Sequence, residues 1–180
     1  MNKISLNNKE WKPFFIEDIA EIVSGRDIYE RERTEGLTPY ITATANNNGI
    51  GYFVDNTNDT LESDCLSVNR NGSVGYCFYH PYLALYGNDT RKLRPKIKNK
   101  YVSLFISMCI TSQKDKYGYG YKMGTARLKR QRILLPINQF EEPDWQFMEE
   151  YMKLKEKEIL TPTIEKLCNI LKTNKLTGGG

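Results

Sequence analysis

A single histidine, His80, is all the imidazole in this 180-residue chain. Its neighbours Tyr79 and Pro81 supply no partner for base catalysis, so it reads as structural. The four cysteines, Cys65, Cys77, Cys109 and Cys168, lie far apart, with no CxxC or zinc-ligand spacing. They read as small buried hydrophobes. No GxxxxGK[ST] phosphate loop is present, and the GxG at Gly118 and Gly120 has no third glycine. Glu10-Trp11-Lys12 has the ExK form of many nucleases but no upstream acid to complete a metal site. Ser24 and Ser73 lack a histidine partner. No Asn/Asp-Pro-Pro-aromatic loop, the mark of an adenine methyltransferase, occurs. No apolar run approaches the ~18 residues of a membrane span, and residues 1–5 lack the apolar stretch of a signal peptide. These absences point to a cytoplasmic protein with no membrane association, no metal and no catalytic residues of its own.

What is present points to a globular chain. Hydrophobic residues make up 39% and aromatic residues 12%, with 12 tyrosines, enough for one sizeable core and too many for disorder. The net charge of +4 hides an uneven distribution. Residues 1–90 hold seven basic and thirteen acidic side chains, residues 91–132 thirteen basic and one acidic, and residues 141–180 six basic and eight acidic. A basic block of this kind is the footprint of a polyanion binder; a solvated surface whose clustering does not survive folding is the alternative.

Along the chain, residues 37–43 and 50–54 are short β-prone runs around Asn48-Gly49, and residues 65–70 and 73–79 flank Asn71-Gly72. Asn-Gly between such runs is a hairpin signal, because both central turn residues need positive φ. A meander of antiparallel strands is expected, with one more short run between Pro81 and Gly87. Residues 99–113 are apolar nearly all round and predict a buried helix. Residues 116–122, with alternating Tyr117, Tyr119 and Tyr121, read as a loop or short strand. Residues 126–132 suggest a helical turn, and residues 133–136 a final buried strand stopped by proline. From residue 141 the pattern becomes helical: Phe147, Met148, Tyr151 and Met152 form one apolar stripe, and Ile164, Leu167 and Leu171 a second. Thr161-Pro162 is expected to break the run and restart it. The stripes can pack back on the domain or meet a partner helix. The expected class is α+β, a mixed or antiparallel β-rich domain over residues 1–140 with packed helices, followed by a helical tail over residues 141–177.

A set of segments carries a resemblance: Trp11 with Phe14-Phe15-Ile16-Glu17-Asp18-Ile19, Ser24-Gly25-Arg26, Pro39-Tyr40-Ile41-Thr42-Ala43-Thr44, Asn46-Asn47-Asn48-Gly49-Ile50, Gly72-Ser73-Val74-Gly75, Lys116-Tyr117-Gly118-Tyr119-Gly120, Arg127-Leu128 and Ile133-Leu134-Leu135-Pro136. Over residues 11–160 this resembles a target-recognition domain of restriction-modification specificity subunits, of type I or type IIB. The resemblance implies double-stranded DNA as ligand and a separate adenine methyltransferase subunit as partner. S-adenosylmethionine and Mg²⁺ would then sit on that partner, with no cofactor on this chain. A full specificity subunit resembles two such domains in tandem; here there is one, so a natural half-subunit and a fragment both stay open, and a homodimer held by Phe147, Met148, Tyr151, Met152, Ile164, Leu167 and Leu171 is expected.

The candidate DNA contacts are Ser24, Gly25, Arg26, Asn46, Asn47, Asn69, Arg70, Ser73, Arg91, Lys92, Lys116, Tyr117, Tyr119, Lys122, Arg127, Lys129 and Arg130. Cations would hold phosphates, while Asn and Arg can pair with adenine and guanine edges. For Asn48 and Asn71, before glycine, turn chemistry is the competing reading. A single-strand or RNA binder stacking bases on the tyrosines, and a protein- or glycan-binding module, remain the rivals.

Overall fold

The computed structural model describes residues 4–117 and 122–177, with side chains to residue 171. The Asn-rich turn behaves as its composition demands. Asn47, Asn48 and Gly49 all take positive φ, the region that Asn and Gly enter at least cost. They join β3 (Glu35–Ile41) to β4 (Ile50–Val54) as an antiparallel pair. The second Asn-Gly does not make a tight hairpin. Gly72 and Gly75, not Asn71, take positive φ, and residues 70–76 form a wide loop between β5 (Cys65–Asn69) and β6 (Cys77–His80).

Three sheets result. The largest has the order β2 (Ala20–Ser24), β8 (Thr90–Pro95), β5, β6, all antiparallel. The second is β4, β3 and β7 (Leu85–Tyr86), with β7 parallel to β3. The third pairs β1 (Trp11–Phe15) with β9 (Arg132–Pro136). The short helix α1 (Ile16–Ile19) links β1 to β2 and buries Ile16 and Ile19.

Helix α2 (Lys100–Thr111) starts where the Asn99 side chain accepts the N–H groups of Tyr101 and Val102, a standard N-cap. Val102, Phe105, Ile106 and Ile110 enter the main core with Leu66, Val68, Leu93, Met123, Leu128, Ile133 and Leu135. The helix is not buried all round as expected: Met108 is 61% exposed. Strand β9 likewise alternates, with Leu134 exposed. Helix α3 (Thr125–Lys129) matches the expected turn.

The tail departs from expectation. α4 (Trp145–Thr177) is one helix with Pro162 inside it, not two. Asp144 caps its start through the Phe147 N–H. Met148 is fully buried, and Trp145, Tyr151 and Met152 pack on the same core. Tyr151 meets Phe105 edge-on and stacks on Phe147. The first turns therefore belong to the domain. Every described side chain from residue 157 to 171 is exposed, including Leu160, Ile164, Leu167 and Leu171. Of the cysteines, Cys65 and Cys77 are buried as expected, whereas Cys168 is exposed on this helix. Burial pushes the Cys65, Cys77 and Cys109 thiols up to about 12, so they stay protonated and inert.

Two buried polar groups brace the main sheet. His80 shares a hydrogen bond between Nε2 and Ser67 Oγ at 2.8 Å, and its ring meets Tyr82 and Tyr86 edge-on. Burial lowers its pKa to about 4, so it is neutral in the fold. Lys92 is fully buried in mid-sheet. Its ammonium donates to Glu62 Oε2 at 2.6 Å and to the Thr60 carbonyl, over the Tyr86 ring. Arg94 Nε adds two bonds to the same carboxylate. Burial opposes ionisation of Glu62, but the Lys92 and Arg94 hydrogen bonds outweigh it and hold the carboxyl below its usual range.

Two outcomes follow for stability. Glu62→Gln leaves the Lys92 charge buried without its counter-ion and should cost about 3–5 kcal/mol, more than Lys92→Met, in urea titrations. For His80 the unfolded chain takes up a proton that the folded chain refuses between pH 6.5 and about 4. Its contribution is complete above pH 6.5 and drains away as pH falls through that window, by about 3 kcal/mol in all. His80→Gln should lose this part of the acid sensitivity; unchanged curves from pH 7 to 4 refute it.

Candidate nucleic-acid interface

The strand registers place several loops at one end of the molecule. Ser24, which ends β2, pairs with Arg91 near the start of β8. Asn69, which ends β5, pairs with Thr90. Ile41, which ends β3, lies beside Tyr86, which ends the parallel β7. Residues 25–29, 42–45, 70–76 and 87–89 therefore leave the sheets on the same side.

Main-chain hydrogen bonds tie these loops together. Arg26 N–H donates to the Tyr86 carbonyl, Gly87 N–H to Ile41, Ser73 N–H to Ala43 and Arg70 N–H to Asp89, at 2.8–3.2 Å. Asp27 Oδ1 accepts the Asn88 N–H at 2.8 Å. The backbones approach so closely that a Cβ on Gly25 would lie 2.0 Å from the Gly87 carbonyl oxygen. One on Gly72, at φ +56°, would lie 2.5 Å from the Ala43 carbonyl oxygen. A cavity of about 260 Å³ opens among these loops, lined by Asp27, Arg33, Tyr40, Tyr52, Gly87 and Asp89 with Thr42 and Ala43. The Arg33 guanidinium lies 3.9 Å from the Tyr52 ring centre, and burial pushes the Tyr40 hydroxyl above its usual range.

Only part of the basic block lies near this end, since Lys92 and Arg94 pair with Glu62 and Lys100 with Glu156 on α4. Arg91 is almost buried; its Nε donates to Thr125 Oγ1 at 2.7 Å and its NH1 to the Asn88 and Thr90 carbonyls. Burial, then repulsion from Arg70, lowers its pKa. Arg91 thus fastens α3 to the 87–89 loop. Gly75 packs against the Lys114 backbone, which brings residues 114–117 to the 70–76 loop. Lys116 lies exposed there, the Tyr117 hydroxyl donates to Gln131 Oε1, and Arg127 donates to the Lys122 carbonyl. Lys122, Lys129 and Arg130 are exposed.

The candidate residues separate on this geometry. Ser24, Gly25, Arg26, Arg70 and Ser73 sit on the converging loops, with Lys116 and Tyr117 next to the 70–76 loop; Lys122, Arg127, Lys129 and Arg130 lie on and around α3, whose first residue Thr125 accepts from Arg91. Asn46 and Asn47 are exposed on a turn that folds over β6, where Asn48 donates to the Tyr79 carbonyl and the Tyr82 hydroxyl. Asn48 is thus held by turn and packing contacts. Three expectations need correction. Lys92 is sealed against Glu62 and has no surface for a phosphate. Asn69 is fully buried, its Nδ2 bound to the Thr44 carbonyl, so it braces the loops and does not reach a base edge. Arg91 is spent on internal bonds. Tyr119 lies outside the described residues. Asp27 and Asp89, which anchor two of the loops, are not among the expected contacts; in the sequence only the turn-prone Gly87-Asn88-Asp89 points to them.

The model of the type I restriction modification DNA specificity domain matches residues 8–166. The chain belongs to that family. This specificity domain is 42% identical over 164 residues to the specificity subunit of a type II restriction enzyme from Heyndrickxia coagulans, a match covering 90% of the chain and 48% of that subunit. The chain spans about half the length of that relative. Its fold is similar to the S subunit of a type I restriction-modification system from M. genitalium, with a TM-score of 0.65 at 18% identity, covering 96% of this chain and 44% of that one. It is also similar to the HsdS subunit of Thermoanaerobacter tengcongensis, with a TM-score of 0.58 at 10% identity over 84% and 38% of the two chains. Among the described residues, no group of three or more His, Cys, Asp or Glu is placed to hold a metal, and no helix is long and apolar enough to cross a membrane.

Gly25→Ala tests whether the specificity domain needs its loops in backbone contact. The added methyl must push the 25–29 and 87–89 loops apart, so thermal stability should fall. A variant with wild-type melting refutes the close approach.

Proposed function

We propose that this chain reads one half of a bipartite double-stranded DNA target and directs a separate methyltransferase subunit to it. The supporting observation is the convergence of four loops at one sheet end, flanked by exposed cations, in a chain of the DNA specificity domain family. Lys116, Lys122, Lys129 and Arg130 are suited to phosphates, and Arg70 to a guanine edge. S-adenosylmethionine and Mg²⁺ belong to the partner subunit in this reading.

A homodimer through the tail is part of the proposal. The distal stripe of Leu160, Ile164, Leu167 and Leu171 is exposed, and at 100° per residue it is turned roughly a third of a turn from the Met148–Met152 face. It is therefore not a continuation of the surface that packs on the domain, and a second copy related by two-fold symmetry would cover it. The target is then an interrupted palindrome.

Duplex binding should weaken steeply with salt, with a log–log slope of about −4.5 for about five phosphate contacts. Lys129→Ala should weaken all duplexes alike, whereas Arg70→Ala should lose about 1–3 kcal/mol of discrimination at one base pair. A flat salt response, or tighter binding to single strands, overturns the duplex reading. Sedimentation of the chain with and without residues 157–180, alone and with partner subunit and cognate duplex, tests the tail; a monomer under every condition overturns the dimer.

A further inference from the structure

We infer that Asp89 is a positioning residue for base recognition: it holds Arg70 and Asn71 ready for DNA and sets specificity without touching a base. The inference rests on the proposed reading of Arg70 as a base-contacting side chain.

Asp89 binds these two residues twice over. Its main-chain carbonyl accepts the N–H groups of Arg70 at 2.8 Å and of Asn71 at 3.3 Å. Its carboxylate Oδ1 then accepts Asn71 Nδ2 and lies 3.4 Å from Arg70 NH2. The main-chain bonds already join the 70–76 and 87–89 loops. The carboxylate adds orientation of the two side chains, which the loop junction itself does not require. A half-exposed carboxylate at an end built to meet phosphates also carries an electrostatic cost, and such a cost calls for a return.

The open hydrogen-bonding valences show where the return lies. Asn69 Oδ1, Arg70 Nε and Asn71 Oδ1 are buried without a hydrogen-bond partner among the described residues. Native structures seldom leave such atoms unpaired. The three open valences fall on consecutive residues, and two of them, a donor and an acceptor, are on the side chains that Asp89 grips. Arg70 is also only part-exposed in this state, so a small movement of the guanidinium along the carboxylate brings it to a base edge. Asp89 also lines the cavity between the converging loops.

The prediction has an unusual sign. In the full chain, Asp89→Asn removes a negative charge facing the duplex and loosens Arg70. Affinity for non-cognate duplex should rise by a few fold, while discrimination at the base pair read by Arg70 should fall about tenfold. Arg70→Ala should lose discrimination at that same base pair, and the double variant should lose no more than Arg70→Ala alone. Asp89→Glu keeps the charge but moves the carboxylate by one methylene; it should leave non-cognate affinity unchanged and still lose discrimination. Melting midpoints for each variant separate these effects from unfolding. A uniform loss of affinity for all duplexes, additive effects in the double variant, or unchanged discrimination in both Asp89 variants overturns the inference while wild-type preference stands. A wild-type chain with no sequence preference removes the recognition reading and this inference together.

Discussion

An ammonium group sealed in the middle of a β-sheet persists only if its charge is matched where it lies. Lys92 meets that condition through Glu62 at 2.6 Å and the Thr60 carbonyl, with Arg94 closing on the same carboxylate. The consequence reaches well past the pair. β8 is the strand between β2 and β5, so its depth and register fix both neighbours. Glu62 sits on the long connection from β4 to β5, which the ion pair draws onto the sheet. Three cations on one strand would otherwise repel each other and face water. Instead, alternate positions of β8 face opposite sides of the sheet: Arg91 fastens the converging loops, while Lys92 and Arg94 hold the connection on the other face.

The interface and the tail use different physics. At the loop end the chain is held by hydrogen bonds between backbones brought close by Gly25, Gly72 and Gly87. Along α4 the first turns are held by aromatic packing of Tyr151 on Phe105 and Phe147, supported by Glu156, which accepts from Lys100 and the Tyr101 hydroxyl. Past Glu156 no described side chain is covered, although Leu160, Ile164, Leu167 and Leu171 form a second apolar stripe on another face of the helix. An apolar face on a helix without a neighbour is the part of this molecule least satisfied by itself.

Sequence reading recovered features carried by local chemistry. The Asn48-Gly49 turn, the approximate span of α2, the start of the 126–132 turn and β9 were visible because backbone preference and periodicity act over a few residues. Family motifs spread over residues 11–160 anticipated the match to residues 8–166. What sequence did not disclose depends on distant partners. Lys92 looks like any other member of a basic block until Glu62, thirty residues away, is seen to bury it. Asn69 looks like a base reader until Thr44 claims its amide. Pro162 reads as a break, but the helix runs through it without the backbone hydrogen bond that proline cannot donate. The role of the acids Asp27 and Asp89 emerges only from what they hold.

The loop frame has one further property. Four of the bonds that set its shape, from Arg26 N–H to Tyr86, Gly87 N–H to Ile41, Ser73 N–H to Ala43 and Arg70 N–H to Asp89, are made by main-chain atoms alone. Any residue other than proline presents the same N–H and carbonyl at those positions. The scaffold is thus largely blind to the side chains it displays at positions 26, 70 and 73, and new residues can be tried there without rebuilding it. A surface of this kind is free to diversify in what it reads while the glycines beneath it, which no other residue can replace, stay put.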